Sequence, residues 1–138
     1  MENDVIVKIG KTPYTTSVQY GKHQIMVDEP EDLGGQDQGI NPTPLLLSAL
    51  GSCKAITVRM YADRKKWPLE EVIVRLSHEI QTSEQQQTTY IQCHIGFKGN
   101  LDDEQQKRLF KIAEKCPVHK ILTNPIVITS NHLSSYLG

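Results

Sequence analysis

The chain has 138 residues, enough to bury one hydrophobic core and short for two, so a single domain over residues 1–138 is expected. Lys and Arg number 15 against 16 Asp and Glu, a formal net charge of -1, which leaves no cationic surplus to hold a polyanion and argues against nucleic acid as a partner. Hydrophobic residues make up 38%, and no apolar run approaches the roughly 20 residues that cross a bilayer, so no membrane partner is expected either.

The N-terminus, MENDVIVKIGKT, is acidic and then alternates, without the basic start and apolar stretch of a signal peptide. A cytoplasmic location is the expectation. Val5, Val7 and Ile9 alternate with Ile6 and Lys8, and Tyr14, Thr16, Val18 and Tyr20 alternate with Thr15, Ser17 and Gln19. Gly21-Lys22 then offers a tight reversal into His23 to Val27, which predicts an N-terminal antiparallel meander of three strands. From Asp28 to Pro42 the run DEPEDLGGQDQGINP has acids, glycines and prolines but almost no apolar residue. A loop this long is uncommon in a compact domain and reads as a lid or a mobile segment.

Thr43 followed by Pro44 suits a helix start, since a hydroxyl caps free amides and proline's missing N–H costs nothing in the first turn. The helix is expected to run to about Lys66, where Trp67-Pro68 stops it. Leu46, Ala49, Leu50, Cys53, Ile56 and Met60 form one apolar stripe, and Leu47, Gly51, Ala55, Val58 and Ala62 a second. Apolar on two sides means buried on two sides. One small domain does not easily cover both, so a second subunit is expected to help. Val72, Val74, Leu76, His78 and Ile80, then Ile91, Cys93, Ile95 and Phe97, alternate as two longer strands, with the Gln-rich QTSEQQQ between them as an exposed, poorly ordered tip. Asp102 with Gln105 forms the signature of a capping box. The helix it opens carries the stripe Leu109, Ile112, Ala113 and Cys116, and Pro117 breaks it and starts a short one through Leu122. A last strand is expected at Ile126 to Thr129. The fold class is α+β.

Three cysteines, Cys53, Cys93 and Cys116, show no CxxC spacing. In a reducing compartment they are packed hydrophobes, metal ligands or redox groups. Cys53 sits between Gly51, Ser52 and Ala55, so its small neighbours let another element or a small ligand approach the sulfur; a buried, inert thiol fits the same position. Cys116 precedes a proline that opens a helix, where free amides would favour a thiolate, and it also suits a small core residue at a kink. Each of the two lies on the inward stripe of its own helix, so they can meet across the core. Cys93 shares the apolar face of a strand and reads as core. A metal site from Cys93, His94, Cys116 and His119 is disfavoured because Cys93 and His94 point to opposite faces. His78 reads as a core or edge histidine, and neither a phosphate-cradling glycine motif nor a GxSxG elbow is present.

Asn41-Pro42-Thr43-Pro44-Leu45-Leu46-Leu47, then Ala49-Leu50-Gly51-Ser52-Cys53, and far downstream Lys115-Cys116-Pro117-Val118-His119, resemble the osmotically induced protein OsmC and organic hydroperoxide resistance family. The order of elements is similar over nearly the whole chain. The resemblance implies two intertwined subunits, a homodimer with the long helices buried at its centre, and thiol-dependent reduction of a small-molecule organic hydroperoxide. By position, Cys53 would attack the peroxide and become a sulfenic acid, and Cys116 would condense with it to a disulfide. An external dithiol, in some members a lipoyl group, reopens that bond, and no metal, nucleotide or other cofactor is implied. The alternative is a dimer that binds a small apolar ligand at its interface, with thiols that are structural or redox-sensing.

Two positions depart from the family pattern. Peroxidase members carry a glutamate ten positions before the first cysteine, where this chain has Thr43, and an arginine before the central helix, where it has none upstream of Arg59. Lys22 or Lys54 would replace a guanidinium only as flexible point charges. The chain is therefore similar to a divergent, general redox branch of the family.

Overall fold

The computed structural model describes residues 3–133. The elements are β1 (Ile6–Ile9), β2 (Thr16–Tyr20), β3 (His23–Val27), α1 (Pro42–Lys65), β4 (Leu69–Thr82), β5 (Gln87–Gly99), α2 (Asp103–Ala113) and α3 (Pro117–Thr123), with a short 3-10 turn at Glu31–Leu33. The fold is mixed α+β, with a three-stranded sheet β1-β2-β3 and a two-stranded sheet β4-β5. Two compact units result, one from the N-terminal segment through Gly51 with Arg75–His94, the other from Ser52–Val74 with the segment from Ile95 onward.

In the first unit the meander is antiparallel, with Val7 opposite Val18 and Val18 opposite Ile25. The reversal takes two residues, with Gly21 at φ 59, a conformation that glycine adopts without penalty. β2 begins at Thr16 rather than Tyr14 because the Tyr14 amide and the Thr15 hydroxyl are both given to the Asp28 carboxylate, at 3.2 and 3.0 Å.

The same carboxylate explains why residues 28–42 are tied down rather than loose. Asp28 is buried and also accepts from the amides of Glu29, Gln36 and Gln38, at 2.7, 3.4 and 3.2 Å. The chain is wound round one acid. A side chain at Gly35 would run into the Glu29 carbonyl, so the winding leaves no room for a Cβ there. Burial on its own would raise the Asp28 pKa, but the donors from Glu29, Gln38, Thr15 and Gln36 outweigh it and hold the carboxyl down from 3.8 to about 2. A depressed carboxylate stabilises the folded state above its unfolded pKa and loses that contribution as pH falls through the folded one. Resistance to urea is therefore expected to fall as pH drops from about 4 through about 2, and Asp28→Asn is expected to be less stable at neutral pH with a flatter slope in that window. Equal slopes in both proteins would contradict the assignment.

α1 starts two residues earlier than a Thr43 cap with Pro44 in the first position suggests. Pro42 takes the first helical position and the Asn41 carbonyl accepts from the Leu45 amide at 3.1 Å. Further along, the Leu76 side chain of β4 packs so close to Gly51 that a Cβ would lie 2.6 Å from Leu76 Cδ1. The tip between β4 and β5 is tighter than its Gln-rich sequence suggests. Both strands extend into it, and Ser83 closes the turn by exchanging hydrogen bonds with Gln86 through backbone and hydroxyl.

The second unit holds a core of Val58, Ala62, Leu69, Leu109 and Ala113, against which Tyr61, Trp67, Val72, Ile95, Phe97 and Leu101 pack. α1 ends as its sequence predicts, before Pro68. Lys66 takes the left-handed conformation at φ 58, and the amides of Trp67 and Lys66 return to the carbonyls of Ala62 and Asp63, at 2.9 and 3.1 Å. Tyr61 meets Trp67 edge to face and accepts from Arg108 of α2 at 3.0 Å. The Asp102 capping box is formed, with both of its hydrogen bonds to Gln105 present. Its stripe of Leu109, Ile112, Ala113 and Cys116 is buried throughout.

Two expectations need correction or qualification. No strand forms at Ile126 to Thr129. A strand needs a neighbour to pair with, and this segment has none among the described residues, leaving Val127 88% and Ile128 84% exposed. Of the two apolar sides of α1, the one with Leu47, Gly51, Val58 and Ala62 is buried apart from half-buried Ala55, while on the other Leu50 is buried, Cys53 half-buried, and Leu46, Ala49, Ile56 and Met60 exposed.

Candidate functional site

Cys53 lies midway along α1, and Cys116 follows α2 as the cap of α3. Pro117 opens α3 with no N–H to lose. The next two amides are the free donors of a helix start, and each meets a sulfur: Val118 donates to Cys53 Sγ at 3.4 Å and His119 to Cys116 Sγ at 3.3 Å. The two thiols lie near enough for Cys53 to raise the pKa of Cys116. Both are free, Cys116 fully buried and Cys53 half-buried. The local sequence explains the meeting. The α2 stripe turns Cys116 inward, and Pro117 breaks the helix there so that a new set of amides faces α1.

Burial pushes the Cys116 thiol above its ordinary value, the amide of His119 pulls it back in part, and the adjacent Cys53 pushes it up again. Cys116 thus keeps its proton at neutral pH and offers it to its neighbour. The half-buried thiol and the fully buried one are different residues, a division that suits a pair in which one meets the substrate and the other waits.

Beside the sulfurs stands a lysine that sequence reading treated as a flexible charge. Lys54 is 1% exposed. Its Nζ donates to the Ala113 carbonyl at 3.1 Å, contacts His119 Nδ1 at 2.9 Å and lies 3.8 Å from Glu114 Oε2. Glu114 Oε2 is in turn 3.5 Å from His119 Nδ1. The missed signal was the lone charge in the apolar stretch from Pro44 to Val58; a lysine there must either leave the core or find partners inside it.

The remaining candidates stand elsewhere. Lys22 is exposed at the turn between β2 and β3, and Thr43 is exposed in the first turn of α1. Cys93 is half-buried on β5, on the face it shares with Ile91, and belongs to the first unit. Among the described residues no three His, Cys, Asp or Glu side chains are grouped to hold a metal ion. No helix among them is long and apolar enough to cross a membrane.

The pattern of residues 35–131, well over half the chain and including both thiols, matches the model of the OsmC-like protein family. The chain belongs to the OsmC-like family. Its fold is shared with an OsmC-like protein from Mycoplasma pneumoniae, at 18% identity and a TM-score of 0.73, covering 87% of this chain and 86% of that one. An organic hydroperoxide resistance protein OsmC from Legionella pneumophila aligns at 22% identity with a TM-score of 0.64, covering 87% and 89%. An organic hydroperoxide resistance protein from Elizabethkingia anophelis, crystallised with thiocyanate, aligns at 16% identity with a TM-score of 0.61, covering 87% and 88%. At these identities the likeness is one of fold. No curated protein matches the chain. Such distance from its relatives is that of a divergent OsmC-like branch.

Proposed function

We propose that this OsmC-like protein reduces organic hydroperoxides through Cys53 and Cys116. The observation that carries the reading is the pair of free thiols from two separate helices, met by consecutive backbone amides, Val118 on Cys53 and His119 on Cys116. The Cys53 thiolate attacks the outer oxygen of the peroxide, the O–O bond breaks, and the alkoxide takes a proton to leave as an alcohol. Cys53 is then a sulfenic acid, the reversible rung of thiol oxidation, and Cys116 lies close enough to trap it before further oxidation. Closure of the disulfide releases water. Both electrons delivered to the peroxide come from the two thiols, and an external dithiol, such as a lipoyl group, returns them.

A homodimer in the cytoplasm completes the proposal. Leu46, Ile56 and Met60 are exposed apolar side chains of α1, and the apolar segment with Val127 and Ile128 is exposed and unpaired among the described residues. A second copy would cover the first and pair with the second. The expected result is consumption of tert-butyl hydroperoxide with dihydrolipoamide as reductant; absence of turnover with any dithiol would contradict the reading.

A second reading, binding of a small apolar ligand, has one observation in its favour. Ile56, Met60 and Val72 line an open groove of about 420 Å³ together with Ala55, Arg59, Glu70 and Glu71. On that reading hydroperoxide leaves the thiols unchanged.

A further inference from the structure

An ammonium withdrawn from water is tolerated only where its donors are met, and Lys54 meets them in one fixed arrangement. The Ala113 carbonyl sits in the last turn of α2, where a helix favours a cation. His119 Nδ1 stands 2.9 Å from Nζ, within hydrogen-bond distance of the ammonium. Glu114, on the turn between α2 and α3, completes the surroundings. The partners of Lys54 therefore stand on both sides of Cys116 in sequence, and fixing them fixes the bend that presents its sulfur. Unlike a surface lysine, this one has no freedom to swing away.

We propose that Lys54 is the positioning residue of the second half of the reaction: its buried ammonium, clamped between the end of α2 and His119, lets Cys116 give up its proton and attack the Cys53 sulfenic acid. The inference rests on the two-thiol reading above. In this step the Cys116 sulfur bonds to the Cys53 sulfur, the S–O bond breaks, and the departing hydroxide combines with the proton that Cys116 released, leaving as water. No further oxidant is needed, since the peroxide has already taken its two electrons at Cys53. The groups facing Lys54 and Cys116 are Cys53 from α1, Glu114 from the turn and His119 from α3. Before oxidation Cys53 holds the Cys116 proton in place, while Lys54 acts in the opposite direction and favours the thiolate. Oxidation of Cys53 removes the first influence and leaves the second. The attack is thereby timed to follow the peroxide step.

The test uses a full-length chain carrying Cys53→Ser and Cys93→Ser, so that Cys116 is the remaining thiol, and follows thiolate absorbance near 240 nm against pH. Adding Lys54→Met is expected to move the midpoint upward by about one pH unit or more. With all cysteines present, Lys54→Met is expected to slow disulfide closure about tenfold at neutral pH and shift its pH profile upward, while dimedone-reactive sulfenic acid still forms at Cys53. Should Lys54→Met not fold by circular dichroism, Lys54→Gln, which keeps a donor for the Ala113 carbonyl, carries the same comparison. An unchanged midpoint together with an unchanged closure profile would overturn the role of Lys54. Failure of the wild-type chain to form any sulfenic acid would instead defeat the peroxide reading, and the thiolate titration would still decide whether Lys54 governs Cys116.

Discussion

Replacing Cys53 by serine is expected to lower hydroperoxide consumption by at least about a thousandfold, because a hydroxyl near neutral pH has no anionic form to attack the O–O bond. Cys116→Ser is expected to fail differently. The first peroxide is still reduced, one equivalent of alcohol appears, and Cys53 remains as a sulfenic acid that dimedone captures. Steady turnover then stops. The difference follows from the site: Cys53 is the half-exposed sulfur, whereas Cys116 is buried and keeps its proton. Rapid quench with mass spectrometry reads both outcomes. If the two variants behaved alike, with no burst in Cys116→Ser, the assignment of attacking and resolving roles would be wrong.

The second large effect is on stability. Leu109 is fully buried among Val58, Ala62, Leu69 and Ala113. Truncation to alanine removes its transfer free energy and leaves a cavity between α1, α2 and β4, an expected cost of about 3 kcal/mol. For a domain of this size that is a large share of the total. Urea unfolding should show a lower midpoint with little change in slope, since the surface exposed on unfolding is nearly the same. A loss below about 0.5 kcal/mol would mean that the second unit is not organised round this residue.

Where the sequence was legible, a local rule acted alone. The capping box at Asp102 and Gln105, the stripe from Leu109 to Cys116 and the stop at Trp67-Pro68 depend on residues a few positions apart, and all appear as read. The meeting of Cys53 with Cys116 was expected from two such stripes, of which the one on α2 is buried and the one that carries Cys53 is buried only in part. Illegible features depend on distant partners. Asp28 resembles every other acid in its loop until five donors from residues 14 to 38 converge on it. Lys54 looks like a flexible charge until the end of α2 and His119 close over it. The segment Ile126 to Thr129 has the β-branched residues of a strand, but composition supplies a propensity and not a partner.

One equivalent of an alkyl hydroperoxide added to the reduced protein, followed by non-reducing peptide mapping, interrogates the sulfur pair itself. A rapid two-dalton loss localised to a peptide pair joining Cys53 to Cys116, with Cys93 still alkylatable, is the predicted result. Thiols that remain fully reduced, or a bond that forms through Cys93 instead, would contradict it.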